Sequence, residues 1–234
     1  SERDLRPRFD DVQGDFHETD PCLNSCAVDG QMLATAGDDT KLRLWRFAEE
    51  ACLEKPELYK VCHGHEAAIT DTRFASSGHI VCTASKDGSC RIWSAALGTC
   101  LALCDAKAAT PPSILNAKPP TKKRRPPPPF KLLCRAARFS DDDTCLIALA
   151  SGSRGAAFAV KWKLVQAEKD TLSPEINHVH ILSENPISAV ATSGKTLALG
   201  CVTGEVRFAD QHDLFPLRQR KVSAKQDHDL PVTA

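Results

Sequence analysis

Four residue types recur at one fixed distance. Thr35, Asp39 and Trp45 stand 48 residues before Thr83, Asp87 and Trp93, and Cys52 stands 48 before Cys100. A period of this size predicts an array of like units, each too small to bury its own apolar face and completed by its neighbours. The clearer unit is residues 63–93, HGHEAAITDTRFASSGHIVCTASKDGSCRIW. It opens on Gly64-His65 and alternates as far as Phe74. A Ser-Ser-Gly turn, a second apolar run, a tight Lys86-Asp87-Gly88 turn and a third strand ending in Trp93 follow. KLRLW (41–45) and SCRIW (89–93) both alternate polar with apolar, as half-buried strands do.

The polar positions in this unit resemble those of a WD repeat. In such a repeat, Asp87 accepts a hydrogen bond from the His65 ring. The other ring nitrogen engages the Thr83 hydroxyl, and that oxygen accepts from the Trp93 indole. Every polar group is then paired, which is the condition for burying it. Thr35, Asp39 and Trp45 form a partial second set. His17 falls at the matching offset, but its surroundings, GDFHETDP, do not read as a repeat start, so it is not assigned to the set. All seven residues are read as holding the fold, not as functional.

The expected fold is therefore all-β, a WD-repeat β-propeller. About four blades of a probable seven are legible, at approximately 21–60, 61–104, 131–165 and 178–215, with 216–234 starting a further one. The third unit lacks the turn Asp, where Arg154-Gly155 stands, and closes on Trp162. A polar stretch, Glu168 to Glu175, reads as a loop. The fourth unit has ISAVAT, TLALGC and a strand after Thr203-Gly204, with neither the Asp nor the Trp. The ending HDLPVTA (228–234) aligns with the segment after Gly64, so the sequence reads as an interior fragment or incomplete gene model of a larger propeller. Residues 1–20 read as an entering segment plus an edge strand.

Residues 105–131 break the pattern: DAKAATPPSILNAKPPTKKRRPPPPFK. Proline at this density excludes a central strand and predicts a long solvated insertion, partly polyproline II. Its Lys122-Lys123-Arg124-Arg125 run has three readings: a solvated loop, a nuclear-import or nucleic-acid patch, and a contact with acidic protein or lipid headgroups. No aromatic residues interleave with it, which disfavours stacking on single strands.

Thirty basic and 30 acidic residues cancel, so no bulk attraction to nucleic acid or membrane is implied. The eleven cysteines form no CxxC pair and no signal-peptide pattern precedes them. They read as reduced, buried small hydrophobes. Two CxxxC pairs, Cys22/Cys26 and Cys100/Cys104, are loose for zinc. His63 reads as a turn residue. Asp141, Asp142 and Asp143, with neither a Gly nor a distant Glu to complete a calcium loop, read as a solvated turn. No metal, cofactor or catalytic residue is assigned, no nucleophile–base pair or phosphate loop stands out, and no run of about eighteen apolar residues occurs.

The order of several stretches is more specific. VQGDFHETDP (12–21), LATAGDDTKLRLWR, the interrupted second half with LLCRAARFS (132–140), LALGCVTGEVRF (197–208) and the basic run leading into HDLPVT resemble one family from about Arg8 to Ala234. It is the prolactin regulatory element-binding protein family, the endoplasmic-reticulum exchange factors for the Sar-type small GTPase that begins COPII coat assembly. The resemblance implies a seven-bladed propeller on the cytosolic face of the endoplasmic reticulum, anchored by a C-terminal span absent from this chain. It implies a Sar-type GTPase as partner, release of GDP, and no covalent catalysis. The family's exchange activity also depends on a Gly/Asn-rich, cation-binding loop in the first blade. No such stretch occurs here, so no exchange residue is carried over. The alternative is a soluble WD-repeat scaffold, cytoplasmic or nuclear, meeting other proteins through a propeller face. No nucleic-acid partner is expected.

Overall fold

Turn signals cut the apolar runs into strands, and within each group of four every strand pairs with the next one along the chain. The computed structural model describes residues 22–47, 56–115, 131–152, 157–168, 171–183, 187–193, 196–201, 205–210 and 222–223. The first blade is β1 (Leu23–Asp29), β2 (Met32–Gly37), β3 (Leu42–Arg46) and β4 (Glu57–Cys62). The second is β5 (Ile69–Phe74), β6 (Ile80–Ser85), β7 (Ser89–Ser94) and β8 (Cys100–Asp105). The third is β9 (Leu132–Phe139), β10 (Cys145–Gly152), β11 (Ala157–Glu168) and β12 (Thr171–Ser183). The fourth is β13 (Ile187–Ser193), β14 (Thr196–Cys201), β15 (Glu205–Asp210) and β16 (Val222–Ser223). Each blade is a four-stranded antiparallel meander. This is the all-β propeller architecture expected from the sequence.

The 48-residue recurrence is also a recurrence of register. Thr83 lies opposite Arg91 and Val81 opposite Trp93; one period earlier Thr35 lies opposite Arg43 and Leu33 opposite Trp45. The first strands of successive blades touch, β1 with β5, β5 with β9 and β9 with β13, so they form the inner ring. The tight turn between β6 and β7 depends on Gly88, whose φ is +87°. A Cβ there would stand 3.1 Å from the Leu132 carbonyl oxygen of the next blade.

The core is shared between neighbours, because each sheet is apolar on both faces. Leu42 and Leu44 of the first blade meet Ile69, Val81 and Trp93 of the second. The second blade's other face, with Cys82, Cys90 and Ile92, meets Leu146, Phe158 and Trp162 of the third. Ile147 and Leu149 then face Leu197 and Leu199 of the fourth. All eight residues of β10 are buried, which is why its sequence is apolar without a break from Cys145 to Ala150. A buried Leu or Ile contributes about 1.5–3 kcal/mol, so no blade is stable without the faces beside it. Cysteines serve as small packing residues here: Cys62, Cys82, Cys90, Cys104, Cys134 and Cys145 are buried. Burial pushes the Cys62 and Cys104 thiols up to about 12.

Three of the sequence-based boundaries move. The third blade reaches Ser183, not 165, because the stretch expected to be a loop at 168–175 lies mostly in β12. Pro174 is tolerated there because β12 is the outermost strand, with only β11 beside it. The fourth blade therefore starts at Ile187, and Val222–Ser223, expected in a further unit, are its outer strand. The insertion begins as packed chain. After Asp105 the backbone turns, Thr110 donates to the Ala106 carbonyl at 2.9 Å, and a single helical turn, α1 (Pro112–Leu115), follows. It drives Ile114 into the core between the second and third blades, with Ala106 and Ala109. The entering segment 1–20, His17, Cys52, Arg154-Gly155, Lys122 to Arg125, Thr203-Gly204 and residues 224–234 lie outside the described residues.

One polar group ties the inner ring. Asp71 on β5 is 6% exposed, and its carboxylate accepts from Ser25 Oγ of β1 at 3.3 Å, from the Ala137 amide of β9 at 3.2 Å and from Arg138 Nη1. Arg138 Nη2 continues to the Val190 carbonyl of β13 at 3.2 Å. Asp71→Asn keeps the shape but leaves the Arg138 charge buried without its counter-ion. It should lower the unfolding free energy by roughly 3–5 kcal/mol, read from urea unfolding; an unchanged midpoint would show that the ion pair is idle.

Candidate functional site

The four residues singled out in the second repeat meet as one chain. His65 Nδ1 lies 2.7 Å from Asp87 Oδ2, and His65 Nε2 lies 2.7 Å from Thr83 Oγ1. The Trp93 indole donates to the same Thr83 oxygen at 2.9 Å. The proton count closes in one way. Nδ1–H donates to the carboxylate, Nε2 accepts the Thr83 hydroxyl proton, and the freed lone pair of Thr83 takes the indole N–H. The His65 and Trp93 rings stand edge to face, with centroids 6.2 Å apart. Burial opposes the charge on Asp87. Hydrogen bonds from His65 and from Ser89, whose hydroxyl and amide lie 2.7 and 2.8 Å from Asp87 Oδ1, outweigh it and hold the carboxyl well below the usual carboxylate range.

Asp, His and a hydroxyl in this order are also the parts of an acyl-transfer triad. Here they are sealed. Thr83 is 0% exposed, and its oxygen is already occupied by the indole, so no substrate carbon can approach it. In the first blade Trp45 donates to Thr35 Oγ1 at 2.8 Å, and Asp39 accepts from Arg43 at 2.5 Å. In both blades these side chains link a strand to its neighbour or to the turn between them.

The remaining candidates separate. His63 is exposed beside the turn. Cys22, Cys26 and Cys100 are exposed and Cys104 is buried. Among the described residues no three His, Cys, Asp or Glu side chains gather as a metal ion requires. The three aspartates at 141–143 are not equivalent. Asp142 caps its own turn, accepting from Ser140 Oγ at 2.6 Å and Thr144 Oγ1 at 2.9 Å, which lowers its carboxyl to about 2. Asp143, at φ 56°, reaches across to the second blade instead. It accepts the Ser76 and Ser77 amides at 3.0 and 2.9 Å. Reading all three as a solvated turn missed this clamp, because its partner turn is remote in sequence.

That clamp borders an open cleft of about 390 Å³. Its walls are Arg73, Phe74 and Ser76 of the second blade, Arg138 to Asp141 of the third, and Val190 and Ala191 of the fourth. The Arg-Phe pairs at 73–74 and 138–139 end two adjacent inner strands. That repeated Arg-Phe pair is the sequence signal for the cleft, and it matches no catalytic spacing. The lining is chemically suited to holding a ligand: guanidinium groups, half-buried phenyl rings and a rim hydroxyl converge on one opening.

Comparison with known proteins agrees with the WD-repeat fold. The family model described as WD domain, G-beta repeat matches residues 14–46 and 56–94. The chain is 31% identical over 77 residues to the CCR4-associated factor 4 homolog of Candida glabrata, covering 32% of this chain and 12% of that protein. It is 31% identical over 74 residues to the ribosome biogenesis protein WDR12 homolog of Arabidopsis thaliana, covering 30% and 17%. The chain thus spans under a fifth of the curated relatives it matches. Among solved structures it resembles the computationally designed Ika4 protein, with a TM-score of 0.55 and 16% identity over 82% of this chain and 93% of that one, a likeness of fold alone.

The lowered pKa of Asp87 sets a pH dependence. A folded-state pKa below the unfolded one gives stability that is full above the unfolded value, near 4, and is lost as pH falls towards the folded value. Thermal unfolding should show wild type more stable than Asp87→Asn at pH 7, with the gap narrowing below about pH 4. A gap that stays constant into acid would mean that the Asp87 charge contributes nothing.

Proposed function

We propose that this WD-repeat chain is a protein-binding platform, and that the partner it serves is a Sar-type small GTPase whose GDP it helps release. The binding half of this reading is carried by the open cleft between the second, third and fourth blades, the one place described above where side chains from three sheets converge without sealing one another. The choice of partner is supported by the order of sequence stretches: two regular repeats, a proline-rich break, the ARF-containing strand and the VTG turn.

The physics is linkage. A partner that favours the nucleotide-free form of a GTPase weakens nucleotide binding by the factor by which nucleotide weakens the partner. Such a protein regulates a reaction and breaks no covalent bond itself. The reading places it on the cytosolic face of the endoplasmic reticulum. Among the described residues no helix is long and apolar enough to cross a membrane, so the anchor in this reading lies outside them.

The second reading is a scaffold in a multiprotein assembly. It is favoured by the relatives, named for CCR4 association and for ribosome biogenesis.

The two separate in one assay. A Sar-type GTPase loaded with a fluorescent GDP analogue is mixed with the full-length protein. The exchange-factor reading expects release about tenfold or more above the spontaneous rate, equivalent to ~1.4 kcal/mol off the barrier. Release at the spontaneous rate rejects it and leaves the scaffold.

A further inference from the structure

The cleft carries more information than its shape. Two guanidinium groups, Arg73 and Arg138, lie on one carboxylate, that of Asp71. The carboxylate is almost fully used. Oδ2 takes the Ala137 amide and Arg138, and Oδ1 takes Ser25 Oγ. Arg138 is used as well, since it also donates to the Ala137 carbonyl at 2.7 Å and to the Val190 carbonyl. Its side chain is 12% exposed, so it belongs to the frame.

Arg73 differs. Its side chain is 46% exposed and meets Asp71 only through Nε, at 3.6 Å. Its two terminal nitrogens have no partner among the described residues. They form a planar donor fork, the geometry that takes a carboxylate through two parallel hydrogen bonds. One positive charge is therefore left over on the cleft wall. Beside it stand the half-buried rings of Phe74 and Phe139 and the Val190 side chain. Opposite charge is present as well: Asp141 is exposed on the rim. The Asp141 charge on the rim disfavours a continuous acidic run more than a single acid next to an apolar side chain.

We infer that the cleft docks a short segment of a partner protein in which one Asp or Glu carboxylate binds Arg73 and an adjacent apolar side chain rests on Phe74 and Phe139. The inference rests on the protein-binding reading above but not on the identity of the GTPase. It assigns Arg73 as a specificity residue and leaves Arg138 to the fold.

The test uses the full-length protein on an array of nine-residue peptides. Each carries a central Glu-Leu or Asp-Phe pair, or its amide counterpart, Gln-Leu or Asn-Phe. Soluble versions of the strongest binders are then measured by fluorescence anisotropy. Loss of the carboxylate should weaken binding about tenfold or more. Arg73→Gln should erase that difference by lowering the acid form to the level of the amide, and Arg73→Lys should restore part of it. Because Arg73 is half exposed, Arg73→Gln should melt within about 3 °C of wild type, which separates lost docking from lost fold. Four results would overturn the inference. They are no peptide binding, equal binding of acid and amide, a carboxylate preference that survives Arg73→Gln, and inorganic phosphate displacing the peptides at equal affinity. None of these depends on nucleotide release, so the exchange assay can fail while this site stands, and the reverse.

Discussion

A single buried carboxylate holds the inner ring in register. Asp71 receives donors from the inner strands of the blades on either side, and through Arg138 its influence reaches a fourth blade. Burying a charge in a sheet core is costly unless it is paired and hydrogen-bonded. Here the pairing is complete only when three sheets are in place together. Apolar packing between blades is strong but unspecific in direction, since flat faces can slide. The directional bonds at Asp71 join the inner strands at set positions, and Arg138, one of its donors, also lines the cleft.

How much could be read beforehand depended on whether a signal was local. The His65, Thr83, Asp87, Trp93 chain was legible because all four residues fall within one repeat and each fills a hydrogen-bonding role in a fixed order. The fold class followed from it. The third blade was harder, since the sealed tetrad is absent and only strand periodicity remained. Its outer strand also carries Ser173, Pro174, Glu175 and Asn177, a composition that reads as a loop unless the strand is known to be an edge. The opening of the insertion was misjudged for a related reason. Proline density describes the later part of the stretch only; Ala106, Ala109 and Ile114 precede the densest part and pack.

The cleft was hidden for a different reason. Its residues come from three blades, and no spacing in one dimension reports that Arg73 and Arg138 approach the same carboxylate. Nor could sequence show which of them keeps free donors. The distinction lies in what each one touches: Arg138 has three acceptors, and Arg73 has one distant ion pair. The same logic separates the tetrad from the cleft. The tetrad has the right elements for chemistry and no opening, whereas the cleft has an opening and an unspent donor.

The Arg-Phe pairs sit at matching places on neighbouring inner strands, and this has an evolutionary corollary. A domain grown by duplicating one unit inherits the same lining at every junction between units. Phe74 and Phe139 pack on the apolar faces and Arg138 is tied to Asp71, but divergence at the exposed Arg73 touches neither the sealed tetrads nor those faces, so drift at that one position is tolerated while the scaffold persists. Ligand preference can then change by point substitution, junction by junction, with ancestry still visible in the frame and selection acting on one side chain at a time.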